Sequence, residues 1–487
     1  MHHEPTRDNH EATDPTVAVP ATELIGARTV YPTLRGAPRP RVYLDSAATT
    51  LMLERANAAA QRLLAQYAST HSEASAPAAL AAEALAYARR EILALAGAGP
   101  SDWLAVFAGS GSTACLNWLA RSLSREPGPR DIVVLSSLEH HSNDLPHRDR
   151  ARVVHAPVEA ADGSGIDLAG LTAAVREHGE RIAYIAVTAA SNTTGLIVPL
   201  EPIARLARSV GAPLVVDASQ YLPHAPLDLD AMAERGAPID AVVFSGHKTY
   251  APGSPGVAIL ARALAERLPV SEFGGGMVDA VYEHTFEAHP DLTERLEAGT
   301  PNIIGAFTLG VAANTLRSIG MARLHARESA LVARLWQALS AIDGVRLYGP
   351  APSVAPRTGC VSFNLDGLDH GLTARILGDH FNIELRSGCF CAEPYVRRLL
   401  KPEVLELDID PDAPDVKARI TRRLGLVRAS LGLHNTEADV DALAAAVAAV
   451  AADREGYRAA YREVGETDYE YTSPVAPRPG LASIIDG

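Results

Sequence analysis

The chain has 487 residues, 47% hydrophobic and 21% charged, with 44 Lys plus Arg against 58 Asp plus Glu. That composition excludes wholesale disorder and supplies a large core. A formal net charge of -14 argues against nucleic acid and anionic membrane as partners. Four cysteines in so long a chain make no disulfide framework, so a reducing compartment is expected.

Residues 1 to about 25 mix His, Pro, Asp, Glu and Thr without periodicity and read as a mobile tail. The first 20 of them, Met1 to Pro20, hold no apolar core of the kind a secretory signal needs. The alanine-rich run Ala442 to Ala452 falls far short of the roughly 20 residues of a membrane span. The expected location is cytoplasmic. From about Trp103, short apolar runs alternate with Ala/Leu/Arg-rich helical segments. The runs are Leu104–Phe107, Ile132–Leu135, Arg152–Val154, Ile182–Val187, Pro213–Val216, Ala241–Phe244 and Gly256–Leu260. Several are apolar almost throughout, which predicts a mostly parallel, seven-stranded α/β sheet buried on both faces. Helix is expected over Gly305–Val345, then extended runs at Val345–Tyr348, Gly359–Leu365 and Ile383–Leu385. An Ala-rich helix from Glu437 to about Val464 closes a smaller α+β domain.

The polar residues that matter sit at strand ends, where an open α/β sheet binds its ligands. Gly109-Ser110-Gly111-Ser112-Thr113 opens a helix after the first run, a turn that can cradle an anion or simply start a helix. Asp217 ends the fifth run, either as a helix cap or as a carboxylate facing a protonated ring nitrogen. Lys248 follows the sixth run within Ser245-Gly246-His247-Lys248-Thr249-Tyr250. It reads as a solvated loop lysine or, if desolvated, as a Schiff-base former. An anion cradle, a strand-end Asp and a strand-end Lys together specify pyridoxal phosphate better than any one does alone.

The runs RVYLDSAATT (41–50), EHHSN (139–143), SNTTG (191–195), DASQ (217–220), SGHKTYAP (245–252), GGGM (274–277) and EAGTPN (297–302) keep one order along the chain. With RSGCFCAEPY (386–395) and RASLGLHNT (428–436), this order resembles the class V aminotransferase superfamily of fold-type I. Within it the resemblance is to group II, SUF-type cysteine desulfurases, over about residues 40 to 455. It implies an N-terminal segment (26–69) joined to the small domain, a large domain that binds pyridoxal phosphate (70–310), a small C-terminal domain (311–465) and a peripheral tail (466–487).

By position, the resemblance implies that Lys248 carries the cofactor, that Asp217 pairs with its ring nitrogen, and that Gln220 and Asn192 contact the ring hydroxyl. Ser112, Thr113, Ser245 and His247 would hold the phosphate, completed by Gly274–Gly276 and Thr300 from a second subunit. A homodimer follows. His140 would stack on the ring, with His141 the competing assignment, and a near-neutral pKa would suit His140 to proton transfer. Arg386 and Arg428 would clamp the substrate carboxylate, with Ala47 and His71 beside the substrate. Cys391 would be the nucleophile. Cys115 and Cys360 read as buried packing residues, and Cys389 as a second sulfur carrier, a disulfide partner or packing. No metal site is expected.

The chain departs from the pattern at Ser69-Thr70-His71-Ser72, where Ser72 replaces an active-site arginine. It departs again in an acidic, Pro-containing insertion around Lys401–Lys417, and in Cys389-Phe390-Cys391, which is similar to molybdenum cofactor sulfurases. The expected reaction converts L-cysteine to L-alanine through a Cys391 persulfide, with the sulfur passed to an acceptor protein. The rival within the same fold is a C–S lyase, aminotransferase or epimerase-like enzyme.

Overall fold

Seven apolar runs form one sheet, each strand within two residues of its expected place. In chain order they are β1 (Trp103–Ala108), β2 (Ile132–Ser136), β3 (Arg152–Ala156), β4 (Ile182–Thr188), β5 (Leu214–Asp217), β6 (Ala241–Ser245) and β7 (Gly256–Ala261). The computed structural model describes residues 23–34, 36–70, 74–124, 129–160, 165–400, 416–473 and 481–485. Most of the expected N-terminal tail, His71, Ser72 and the insertion up to residue 415 lie outside them.

The spatial order is β1-β7-β6-β5-β4-β2-β3. Strands β2 to β6 are parallel to their neighbours among themselves, and β7 alone runs against the strands on either side. Every residue of β2, β5 and β6 is buried, which is why they read as unbroken apolar runs. Alternate side chains feed two cores. Val134, Val216 and Val242 pack on one face with Ile92 and Leu309, and Val133, Val215 and Val243 on the other with Leu116 and Leu119. Burial of each such side chain contributes about 1.5–3 kcal/mol.

A second, antiparallel sheet has the order β8-β9-β11-β10, from β8 (Val345–Tyr348), β9 (Cys360–Leu365), β10 (Arg386–Gly388) and β11 (Leu426–Ser430). Helices Met321–Ser340, His370–Phe381 and Glu437–Ala452 cover it through Leu335, Ile376 and Leu443 against Phe363 and Val427. Three elements differ from expectation. The strand Ile383–Glu384 stands apart from this sheet and pairs in parallel with Val42–Tyr43, held by Arg41 on the Glu384 carboxylate at 2.7 Å. Helix 305–345 divides at Gly320, whose φ of 98° suits glycine, and the two halves bend by 79°. The Ala-rich helix stops at Ala452. Asp453 leaves the helical region at φ -138° and caps Arg454–Ala459, accepting from Gly456 N–H at 3.1 Å.

Two stretches read as tails also pack. Leu24 is buried and bridges to Leu53, and Tyr469 is buried in the small core on a strand paired with Tyr461–Glu463. Among the described residues, no single helix is long and apolar enough to cross a membrane.

Candidate active site

The carboxyl ends of β1, β4, β5 and β6, with the loop after β2, open on one cavity of about 690 Å³, the size of a small-molecule site. At β1, Gly111 starts the helix Gly111–Leu123 with φ +63°, and a Cβ there would lie 2.8 Å from Ser245 Oγ. Ser112 N–H donates to Ser245 Oγ at 2.8 Å, and Ser245 Oγ donates to Ser112 Oγ at 3.0 Å. Thr113 and Ser142 share a hydroxyl hydrogen bond at 2.7 Å. His247 Nδ1 lies 3.2 Å from Thr49 Oγ1, and burial, then Lys248, pushes its pKa down to about 4. Hydroxyls and the first turn of a 13-residue helix thus converge in a cradle of the kind that anions occupy.

The cradle is backed by β7. Gly256 pairs with both Ala108 and Ser245, and a Cβ on it would come 2.0 Å from Gly111 O. Overpacking of this kind costs about 1–3 kcal/mol. Urea unfolding of Gly256→Ala is expected to show that loss.

Asp217 is buried, its Oδ1 accepting from Ser219 N–H at 3.0 Å. A turn follows it, so the capping role reduces to this one bond. Lys248 ends the turn Gly246–Lys248. Burial pushes its amine below the usual value, with Asp217 opposing and Arg428 adding to the shift. Gln220 Nε2 donates to Ala47 O at 2.6 Å. Asn192 Nδ2 donates to Phe390 O at 2.7 Å, while its Oδ1 is buried without a partner.

The two adjacent histidines separate cleanly. His140 lines the cavity, and its Nδ1 accepts from Ser142 N–H at 3.1 Å. His141 grips the loop of the reactive-cysteine candidate instead, its N–H donating to Cys391 O at 2.7 Å and its Nε2 accepting from Glu393 N–H at 3.4 Å. The near-neutral pKa expected for His140 is corrected. Burial, reinforced by Lys248, His141 and Arg428, pushes it down to about 3.

Arg428 is buried, with Nη1 donating to Asn192 O at 2.9 Å and Nη2 to Asp45 Oδ1 at 3.1 Å; its Nε has no partner. Arg386 lies on β10 beside it in register, exposed but lining the same cavity. Cys391 is exposed and lines the cavity from a loop in which both Phe390 and Cys391 have φ +54°. Left-handed backbone at two successive non-glycine residues persists only where surrounding contacts hold it. Cys389 donates its thiol to Leu424 O at 3.1 Å, and burial, then Glu393, raises its pKa to about 11. Cys115 and Cys360 are buried, and all four cysteines are free. Thr300 is exposed and outside the cavity lining. Among the described residues, no His/Cys/Asp/Glu group of three or more could hold a metal ion.

Residues 42–443 match the Aminotransferase class-V family. The chain belongs to that family. Among its relatives, the cysteine desulfurase of Pectobacterium carotovorum is 30% identical over 418 residues, covering 84% of this chain and 92% of the relative. A probable cysteine desulfurase of Vibrio cholerae is 32% identical over 411 residues, covering 84% and 93%. Among solved structures, the apo cysteine desulfurase of Thermococcus onnurineus superposes with a TM-score of 0.71 at 26% identity, covering 84% of this chain and 94% of that one. A cysteine desulfurase of Escherichia coli gives 0.68 at 27%, with the same coverage. The fold-type I expectation is met, and membership of the class V aminotransferases implies a pyridoxal phosphate enzyme.

Three residues of this class V site escaped the sequence reading. Asp45, inside the quoted run 41–50, is the ionic partner of Arg428. Glu139, next to His140, is buried and accepts from Ser136 Oγ, from Asn143 Nδ2 at 2.6 Å and from Thr188 N–H at 2.9 Å, fixing the loop to the end of β4. Phe390 presents its ring to Arg428, whose guanidinium carbon lies 4.6 Å from the centroid.

The depressed His140 pKa has a stability consequence. Below about pH 6.5 the unfolded chain takes a proton that folded His140 refuses, so this residue's contribution is present above 6.5 and lost as pH falls toward 3. The drop in urea midpoint between pH 7 and pH 5 is expected to be smaller in His140→Gln than in wild type.

Proposed function

We propose that the chain is a pyridoxal phosphate-dependent cysteine desulfurase, converting L-cysteine to L-alanine and carrying the sulfur on Cys391. The observation that carries the reading is the convergence of Cys391, Lys248, Asp217 and Arg428 on one cavity. The names of the relatives supply the substrate. Pyridoxal phosphate fits the residues present. A Cβ at Gly111 would crowd Ser245 Oγ, Asn192 Oδ1 is buried and unpartnered, and Asp217 ends β5 beside the Lys248 turn.

In this proposal Ser112, Thr113, Ser245 and His247 hold the phosphate, and Asp217 pairs with the ring nitrogen. Asn192 and Gln220 face the ring hydroxyl, and Lys248 makes the covalent attachment. Bound there, the cofactor supplies an electron sink that labilises the substrate's Cα–H and C–S bonds. The desolvated Lys248 amine, lowered toward its neutral form, takes the Cα proton. Arg428 and Arg386 orient the substrate carboxylate. His140 enters neutral, and because its Nδ1 accepts from Ser142 N–H, its ring N–H sits on Nε2 and offers a hydrogen bond into the site. The Cys391 thiolate attacks the substrate sulfur. The S–S bond forms as C–S breaks, the electron pair leaves with carbon, and that carbon is protonated to give alanine.

The proposal includes a homodimer in which the second subunit brings Gly274–Gly276 and Thr300 to the cradle. Its support is the exposed position of Thr300 and of Phe273 and Phe286, whose rings meet edge to face at 5.9 Å. A cytoplasmic location and transfer of the sulfur to an acceptor protein complete it, supported by four unpaired cysteines. Product analysis with L-cysteine tests the reading. Alanine and sulfide in equal amounts, increased by a thiol reductant, support it, and pyruvate with ammonia would move the enzyme to the lyase branch.

A further inference from the structure

We infer that Phe390 is a positioning residue for Cys391, tying the nucleophile's loop to the groups that hold cofactor and substrate. The inference rests on the desulfurase reading above. Phe390 sits between the two cysteines and is half-buried, packing at the edge of the small cluster of Val396, Leu400 and Leu426.

Two links run from it to the floor of the site. Its carbonyl accepts from Asn192 Nδ2 at 2.7 Å. Its ring lies under the Arg428 guanidinium at 4.6 Å. Arg428 in turn is held by Asn192 O and Asp45, so Asn192, Arg428 and Phe390 close a triangle. One face of the triangle is the guanidinium that meets the substrate carboxylate, and one corner is the peptide that presents the thiol.

The backbone shows why such a link is needed. Phe390 and Cys391 both occupy φ +54°, a left-handed conformation that non-glycine residues keep only where their surroundings impose it. Beyond the triangle, the loop is docked by His141 N–H on Cys391 O at 2.7 Å and closed on itself by Ala392 N–H on Cys389 O at 2.9 Å. The ring–guanidinium contact is the one link that depends on the aromatic side chain. Leucine in its place keeps apolar packing and loses the aromatic face that attracts the guanidinium. The loop then opens more often, and Cys391 meets the substrate sulfur less well placed, a misplacement of the kind that costs up to about 10²-fold in rate.

The test uses the full-length, pyridoxal phosphate-loaded protein and compares wild type with Phe390→Leu and Phe390→Tyr. Hydrogen exchange at the His141 amide reads loop docking directly, with no reliance on turnover. The expected result is exchange about five- to thirty-fold faster in Phe390→Leu, together with a kcat for alanine lowered about ten- to a hundred-fold at unchanged KM. Phe390→Tyr, which keeps a ring under Arg428, restores both toward wild type. Equal His141 exchange in wild type and Phe390→Leu overturns the inference, as does a Tyr variant that behaves like the Leu variant. If wild type makes no alanine, the desulfurase reading fails, while the exchange comparison still decides whether Phe390 docks the loop.

Discussion

Lys248→Ala is expected to lower turnover by about 10⁴-fold or more, because in the proposed reaction it removes both the point of covalent attachment and the general base. Several of the other candidates have a neighbour that shares their work. Ser112 and Ser245 hydrogen-bond each other, and Arg428 has Arg386 beside it in register. Lys248 has no such substitute on the turn after β6. Burial lowers its pKa, and Asp217 partly restores it, so the amine sits where it can exist uncharged without being lost to a salt bridge. Borohydride treatment followed by peptide mapping is the check. Wild type retains the cofactor fixed to the peptide carrying Lys248, and the variant retains none. The fold survives, because removing a buried amine relieves a desolvation cost, and a thermal melt of Lys248→Met separates lost chemistry from lost structure.

Cys391→Ser is the second large effect, with alanine formation falling about 10³-fold while cofactor loading stays at the wild-type level. A hydroxyl cannot take sulfur as a thiolate does. Cys391 is exposed, and His141 and Asn192 hold its loop through the main-chain oxygens of Cys391 and Phe390, so the substitution leaves those contacts in place. Stability should shift by no more than about 0.5 kcal/mol. Cys389→Ser, two residues away, is expected to keep most of the activity, because that thiol is tied to Leu424 O and raised to about 11. Measuring both variants side by side distinguishes the nucleophile from its neighbour.

The sheet was legible because its strands are buried on both faces and read as unbroken apolar runs. The polar residues that end them, Asp217 and Ser245 among them, then fall by topology at one rim. Lys248 and Asp217 were findable in this way even without a family likeness. What escaped depends on contacts between distant parts of the chain. Asp45 and Arg428 are 383 residues apart in sequence, and nothing local marks one as the partner of the other. The ring of Phe390 is informative only once Arg428 lies over it. His140 looked like a near-neutral acid–base group by residue type, and its low pKa comes from burial beside Lys248 and Arg428. The Ala-rich helix was overextended because alanine content carries no stop signal, whereas Asp453 supplies one through its side chain.

One measurement bears most directly on sulfur transfer to Cys391. Full-length protein loaded with pyridoxal phosphate is mixed with L-cysteine without reductant, quenched within one turnover, and mapped by mass spectrometry. One added sulfur atom is expected on the peptide containing Cys391, removable by a thiol reductant, with one alanine formed per site. Alanine or pyruvate appearing while Cys391 remains an unmodified thiol would contradict it.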